Sequence, residues 1–206
     1  MPFAVRGIAL PRKKSVKKSA EAFLDETRLI RSFVEAAPFG TNADMFQSWL
    51  HDYAIIRAYT AFEDLMLDAL VGAINDDTAT ISSTTGVKFP KHLTDEVCEY
   101  LVTGGGYFDF KGRDGLIKLI RGFVPEGHYL ITVVTNNTYR NTLDQLSSLR
   151  NFAAHRSDQA KAAALEALGL ERMDTAGSWL KRQGRLARIL DNLDLLARDL
   201  KGRAPY

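Results

Sequence analysis

The chain has 206 residues, of which 46% are hydrophobic and 25% are charged, a composition that is typical of a globular protein and excludes a wholly disordered or fibrous chain. Its formal net charge of +2 does not by itself indicate a nucleic-acid partner, so any basic surface must be local. The single cysteine, Cys98, excludes an internal disulfide and a zinc site built from several cysteines.

The N-terminal sequence MPFAVRGIALPRKK contains an apolar run that is too short and too interrupted for a secretory signal. No later segment approaches the ~20 apolar residues that a membrane span needs. Together with the single cysteine, this predicts a cytoplasmic protein without a membrane role. The length predicts one domain over residues 1–206, with a basic N-terminal extension at about residues 1–18.

The first helical pattern follows a basic cluster in PRKKSVKKSAEAFLDETRLIRSFVEAA. Phe23, Ile30 and Phe33–Val34 recur there at roughly helical spacing. The cluster has two interpretations: a solvated terminus, or a contact with the phosphate backbone of RNA that would make binding salt-dependent. Its members, the candidate RNA-binding residues of this segment, are Lys13, Lys14, Lys17 and Lys18.

The longest helical pattern is ADMFQSWLHDYAIIRAYTAFEDLMLDALVGAIN, which starts after APFGTN with Thr41 or Asn42 as the expected N-cap. Its apolar positions form a broad stripe that predicts the lining of a bundle core. They are Phe46, Trp49–Leu50, Tyr53, Ile56, Ala61–Phe62, Leu65 and Leu70. We therefore predict that this helix is the spine of the fold and that its aromatic residues are core residues, not cofactor contacts.

The middle of the chain has three weaker patterns. DDTATISSTTGVKFP is polar and ends in proline, which predicts a loop. The following segment, up to Leu130, predicts a short helix, a turn at the three glycines 104–106 and a second short helix; these glycines lack the lysine and hydroxyl residue of a phosphate-binding loop. YLITVVTNN is rich in β-branched residues and predicts a short strand, although no partner strand is evident.

The last third of the chain is helical in pattern. RNTLDQLSSLRNFAAHR places Leu143, Leu146 and Leu149 near one face, and a further helix is predicted over residues 158–169. TAGSWLKRQGRLARILDNLDLLARDLKGR predicts a final amphipathic helix in which Gly184 is a weak point. The predicted fold is therefore all-α, an irregular antiparallel helical bundle with a small inserted helix and loop region.

Arg150, Asn151 and His155 form a polar set within the stretch SSLRNFAAHRSD. At about 100° per residue, Asn151 and His155 face the same way, whereas Arg150 and His155 are separated by about 140°. Either the helix ends or distorts near His155, or a second copy of the chain brings arginine and histidine together across a two-fold interface. The plain structural alternative is that the set is only the outer face of a core helix.

The residue types of this set suit chemistry on a phosphodiester. Histidine can take up or give off a proton at neutral pH. Arginine can bind a phosphate through its planar fork and stabilise the charge of a pentavalent transition state. The remaining histidines, His51, His92 and His128, are scattered, and none belongs to a compact array of metal ligands. We therefore expect no metal or other cofactor.

The stretch LRNFAAHR resembles the R-[polar]-x3-H signature of the HEPN superfamily, whose all-helical domains occur in prokaryotic toxins, antiviral systems and RNA-processing enzymes. RAYTAFEDLMLDAL resembles the early helix of those domains, and YFDFKGRDGLIKLI resembles the insert of some HEPN families close to the RiboL-PSP type. The resemblance covers roughly residues 45–200, and its specific part is the Arg-Asn-His motif.

This resemblance implies a metal-independent endoribonuclease in which a homodimer assembles the site and cleavage of RNA leaves a 2′,3′-cyclic phosphate. It implies that Arg150 binds and polarises the phosphate and that His155 acts as acid or base. Asn151 would orient His155 or contact the substrate. The resemblance also implies a toxin or defence role, for which we expect an antitoxin or regulatory protein encoded separately.

Three further residues have open roles. Glu63 and Asp64 are candidates for supporting the site from the long helix, where carboxylates are more often surface charges. Arg156 either adds to the phosphate contact or is solvated. The alternative hypothesis for the whole chain is a catalytically inactive HEPN-like module that binds a protein partner or RNA through its basic N-terminus and last helix.

Overall fold

The computed structural model describes residues 14–36 and 40–205. Within these ranges the chain forms ten helices and no strand, which confirms the predicted all-α fold. The helices are α1 (Val16–Glu35), α2 (Ala43–Asp76), α3 (Ala79–Thr85), α4 (Asp95–Thr103), α5 (Gly112–Arg121), α6 (Tyr129–Thr135), α7 (Asn137–His155), α8 (Asp158–Leu168), α9 (Ala176–Leu180) and α10 (Arg185–Arg203). None of these helices is both long and apolar enough to cross a membrane.

The four long helices pack as an antiparallel bundle around α2. Ser19, early in α1, bonds to Asp68, late in α2, at 2.8 Å. Farther along α1, Glu26 pairs at 2.6 Å with Arg57, which lies earlier in α2. Helix α7 also packs against α2, and α8 and α9 contact α7. The predicted spine is therefore confirmed: α2 is the element around which the others are placed.

Helices α1 and α10 form a polar seam on one side of the bundle. The Thr27 hydroxyl donates to Oδ1 of the buried Asp194 at 2.7 Å, and Arg31 pairs with its Oδ2 at 2.9 Å. Near the other end of the same two helices, Lys201 pairs with Glu21 at 2.9 Å. The seam is antiparallel and joins an early helix of the chain to the last one.

The predicted apolar stripe of α2 divides into a buried and an exposed part. Phe62, Leu65 and Leu70 are buried in the bundle core, as predicted. Trp49 and Tyr53 are 49% and 57% exposed, and Phe46 is exposed as well. The prediction that these three rings line the core is wrong, because α9 packs against the neighbouring side of α2 that carries Asp52 and leaves the three rings uncovered.

The rings outside the core contact one another. Tyr53 lies edge-to-face against Phe33 of α1, with ring centroids 5.5 Å apart. Phe46 and Trp49 form a second pair at the same centroid distance. Both geometries are the preferred T-shaped arrangement of aromatic rings. We call Phe33, Phe46, Trp49 and Tyr53 the aromatic face.

The segment between α2 and α7 holds four short helices and corrects two predictions. The predicted loop contains α3, because Asp77 accepts a hydrogen bond from the Ala79 amide at 2.9 Å and Ile81 is buried. The predicted strand is α6. His128 caps that helix by accepting from the Leu130 amide, and burial of its β-branched residues in the core outweighs their strand preference.

Other predictions for the shorter elements are confirmed. Helices α4 and α5 flank a glycine turn in which Gly104 and Gly105 have φ values of 61° and 79°. Helix α8 occupies the range predicted for it. Gly184 proves to be a break and not only a weak point: it and Gln183 both have positive φ, so the predicted last helix is divided into α9 and α10.

Candidate functional site

The Arg-Asn-His set lies at the C-terminal end of α7. His155 is the last residue of that helix, and Arg156 follows in a left-handed conformation with φ of 49°. Arg150, Asn151 and His155 all line one open cleft of about 660 Å³, which we call the α7 cleft. The end of the helix at His155 is one of the two arrangements expected from the angular argument, and Arg150 and His155 line a common cleft within one chain.

Arg150 is fixed by contacts with α2 and with its neighbour. Its guanidinium lies over the ring of Tyr59, 4.7 Å from the centroid. One of its nitrogens donates to the Asn151 side-chain oxygen at 2.9 Å. Tyr59 is itself buried and donates its hydroxyl to the Phe110 carbonyl at 3.2 Å. A cation–π contact on a rigid ring holds the guanidinium in place before any anion binds.

Asn151 therefore contacts Arg150 in this structure. The two roles implied for it by the resemblance, orienting His155 or contacting substrate, remain predictions. Its exposed side chain stays on the lining of the α7 cleft.

Glu63 lies one turn after Tyr59 on α2 and faces a second cleft of about 550 Å³. Arg150 and Asp109 line both clefts, so the two adjoin at Arg150. Burial raises the pKa of the Glu63 carboxyl to about 7, against the opposing effect of the Arg150 charge. Glu63 can therefore exchange a proton near neutral pH. Asp64, also on this second cleft, is exposed.

The wall of the α7 cleft opposite α2 is the first part of α8. The Ser157 hydroxyl caps that helix by accepting from the Ala160 amide at 3.2 Å, and Gln159 and Ala160 line the cleft. The positive end of the α8 dipole thus lies next to the exposed His155 and favours an anion. The lining further includes one cation and two carboxylates, Lys111, Asp109 and Asp144.

Arg156 points away from the α7 cleft and toward α2. It pairs at 3.2 Å with Asp52, a carboxylate that is buried and that also accepts from the Gly177 amide at 2.6 Å. Burial raises the pKa of Asp52 even though both contacts favour its charged form. The contact ties the end of α7 to α2 and α9; a phosphate contact of Arg156 stays a prediction.

The predicted basic cluster is spread over the start of α1. Lys13 lies outside the described residues. Lys14 pairs with Asp68 at 2.5 Å, and Lys17 and Lys18 are exposed on α1, which begins at Val16. The described lysines of this cluster do not line the α7 cleft. Their contact with RNA therefore stays a prediction.

Sequence reasoning did not find Tyr59, Asp109 or Lys111 as part of the site. Tyr59 carried a signal, since it precedes Glu63 by four residues and thus shares its face of α2. Asp109 and Lys111 lie within the segment that resembles a HEPN insert, but only the packing of that segment beside α7 brings them to Arg150.

Among the described residues, no group of three or more His, Cys, Asp or Glu side chains is arranged to hold a metal ion. No family model, curated protein or solved structure matches the chain. What the α7 cleft can do therefore follows from its own side chains, a fixed guanidinium and an exposed imidazole, and from the Glu63 carboxyl of the adjoining cleft, whose pKa is about 7.

Proposed function

We propose that the protein is a metal-independent endoribonuclease of the HEPN type, with a toxin or antiviral-defence role. The observation that carries the proposal is the shared cleft of Arg150, Asn151 and His155. A guanidinium fixed on Tyr59 can bind a phosphate without reorganising. An exposed imidazole on the same cleft can transfer protons to and from the atoms around that phosphate.

The proposed step is attack of a ribose 2′-oxygen on the adjacent phosphorus. A P–O2′ bond forms and the P–O5′ bond breaks, leaving a 2′,3′-cyclic phosphate and a free 5′-hydroxyl. A base removes the 2′ proton and an acid protonates the 5′-oxygen. Because each chain supplies one His155, a homodimer that joins two clefts would supply both groups, while Arg150 stabilises the charge on the phosphoryl oxygens.

The surface of α2 supports the homodimer. Trp49, Tyr53 and Ile56 lie within about 60° of one another around this helix. The same stripe continues along α2 to Glu63 and Leu67, which line the second cleft beside Arg150. Exposed aromatic rings mark protein interfaces. A second copy docked on the aromatic face would therefore lie next to the second cleft and Arg150. The proposed partners are RNA, a second copy of the chain and a separately encoded regulator, all in the cytoplasm.

The test is a cleavage assay with purified protein, single-stranded RNA and excess EDTA, followed by mapping of the product ends. We expect His155→Ala and Arg150→Ala to reduce cleavage at least ~100-fold, because one removes the proton-transfer group and the other the phosphate contact. His92→Ala, a change of the same type in the loop before α4, is the matched control and should cleave normally. Circular dichroism checks that each variant is folded.

Two results would contradict the proposal. Equal cleavage by the wild type and by His155→Ala would assign the activity to a contaminating nuclease or to other residues. Absence of cleavage by the wild type, with or without a second copy bound, would favour the alternative of an inactive helical module that binds RNA or a protein.

A further inference from the structure

A further cleft, of about 420 Å³ and separate from the two beside Arg150, lies between α8, α9 and the start of α10. It contains four cations, one aromatic ring and one carboxylate: Lys161, Arg172, Arg182, Arg185, Trp179 and Asp174. We call it the Trp179 cleft. None of its four cations forms an ion pair with a carboxylate in residues 14–36 or 40–205. This is unlike Lys181 next to it, whose charge is held by Asp44 at 2.6 Å.

The Trp179 cleft is built around a stack of arginine on tryptophan. The Arg185 guanidinium lies 4.6 Å from the centroid of the Trp179 ring. Its two terminal nitrogens donate to the Trp179 carbonyl at 3.1 Å and to the Gln183 side-chain oxygen at 3.0 Å. The acceptors are neutral, so they fix the guanidinium without cancelling its charge.

The backbone between α9 and α10 adopts an uncommon conformation that makes this stack possible. Gln183 and Gly184 have φ values of 55° and 63°. A left-handed conformation is rarely adopted by a residue with a side chain, and here it folds the start of α10 back over α9. Arg188 also donates to the Gln183 carbonyl, at 2.6 Å. The loop is thus held so that Arg185 lies on Trp179.

Unpaired cations around a partly exposed aromatic ring are the features with which proteins bind single-stranded nucleic acid: the cations contact phosphates and the ring stacks on a base. We infer that the Trp179 cleft binds the backbone of single-stranded RNA, with a base against the Arg185–Trp179 stack. The choice of RNA as the ligand rests on the proposed function, and the cleft would hold RNA beyond the cleaved bond.

The position of α8 fits this inference. Gln159, Ala160 and Ala163 of α8 line the α7 cleft, whereas Lys161 of the same helix lines the Trp179 cleft. The two clefts are therefore separated by one helix, whose diameter with side chains is about 10–12 Å. A few nucleotides can cross that distance, so one RNA strand can occupy both clefts.

The test measures binding without cleavage. Every variant carries His155→Ala, and fluorescence anisotropy follows a labelled oligouridylate. We expect Arg172→Glu with Arg182→Glu to weaken binding about tenfold or more, and to reduce the slope of log affinity against log salt by about 1.4, since each lost phosphate contact on a single strand removes about 0.7. In a Trp49→Phe background, which leaves Trp179 as the only tryptophan of the two in the chain, RNA should quench the fluorescence.

The matched control is Lys88→Glu with Lys91→Glu, which makes the same change in net charge. These exposed lysines flank Pro90, which Thr78 holds at the end of α2. Lys181 and the Trp179 cleft lie near the start of α2, and that helix is about 50 Å long. The control should bind RNA within twofold of the wild type.

Three outcomes would overturn the inference: no binding of RNA, equal weakening in both double variants, or displacement of RNA by polyglutamate at equal charge, which would make the cleft a site for an acidic protein. The ribonuclease proposal is tested separately, by the cleavage assay with the wild type. If the protein does not cleave RNA but still binds it through Arg172 and Arg182, the inference that the Trp179 cleft binds RNA remains valid.

Discussion

At the scale of single residues, the chemistry of the α7 cleft depends on what surrounds Arg150. Tyr59 below its guanidinium is neutral, because burial raises the pKa of the phenol well above its usual range. Glu63 is the carboxyl beside it whose charge varies near neutral pH. Its protonation decides whether Glu63 presents a negative charge to Arg150 when a phosphate approaches.

The pH dependence of stability is the prediction at this scale. The pKa of Glu63 is about 7 in the folded chain against an ordinary value of 4.5, so the folded state binds the proton more tightly than the unfolded state. Its contribution is therefore fully present below about pH 4.5 and is lost as the pH rises through 7. Because solvent screens this half-buried group, we expect the free energy of unfolding to fall by about 1–2 kcal/mol over this pH range.

Glu63→Gln removes this titration and keeps the shape of the side chain. We expect urea denaturation to show a variant that matches the wild type at pH 4 and exceeds it in free energy of unfolding at pH 8. Glu166→Gln, a change of an exposed carboxyl on α8, controls for the loss of one charge. A constant difference between Glu63→Gln and the wild type at both pH values would mean that Glu63 ionises normally.

At the scale of elements, α9 approaches the backbone of α2 very closely at Gly177. A Cβ atom on Gly177 would lie 1.8 Å from the Ser48 carbonyl oxygen, which is backbone and cannot turn aside. The absence of that atom allows the Gly177 amide to reach Asp52, which in turn pairs with Arg156. One glycine thus sets the distance between α2, α9 and the end of α7.

Gly177→Ala should therefore lower the free energy of unfolding by about 2–3 kcal/mol or more, since α9 has to move away from α2. Gly202→Ala is the control: it lies in α10, and its added Cβ would meet no atom within 4 Å. This second change should be neutral or stabilise by about 0.5 kcal/mol. Thermal and urea denaturation measure both, and similar unfolding curves would show that α9 packs less closely than the structure indicates.

The same scale shows which elements the sequence could predict. Long helices with a regular apolar stripe, such as α7, were found with nearly correct bounds, because their pattern is local. The α6 helix was not, because its valines and isoleucine favour a strand until α5, α7 and α10 bury them. The outward position of Trp49 could not be predicted either, because the sequence of a helix does not specify which of its apolar sides another helix will cover.

The candidate site also has a part that the sequence could predict and a part that depends on the packing of distant helices. Arg150, Asn151 and His155 are close in sequence, and their end-of-helix geometry was one of two predicted alternatives. The ring under Arg150 comes from α2, and only the antiparallel packing of α2 on α7 places Tyr59 there. The Trp179 cleft was missed because the apolar pattern of this segment is that of one continuous amphipathic helix. The break at Gln183 and Gly184, which forms the cleft, is not evident from that pattern.

At the scale of the whole molecule, the proposed enzyme requires two chains. Trp49→Glu with Tyr53→Glu places two charges on the aromatic face and should convert a homodimer into a monomer. Size-exclusion chromatography with light scattering should then give 22.9 kDa, the mass of one chain, in place of twice that mass for the wild type. Cleavage should fall in parallel, because each chain would retain only its own His155.

The control for this change is Val87→Glu with Tyr100→Glu, which alters exposed apolar residues of the segment between α2 and α5. It should remain dimeric. A wild type that elutes as a monomer, or a dimer that survives the two charges on the aromatic face, would place the interface elsewhere or remove it from the proposal.

The polar seam between α1 and α10 has a consequence for synthesis of the protein. Asp194 of α10 accepts from Thr27 and Arg31 of α1, so α1 lacks these partners until α10 has been synthesised. His155 is translated before that point. A ribosome that stalls or stops short of α10 would therefore release a chain that carries the Arg-Asn-His motif on an incomplete bundle, in which α1 lacks its polar partners on α10.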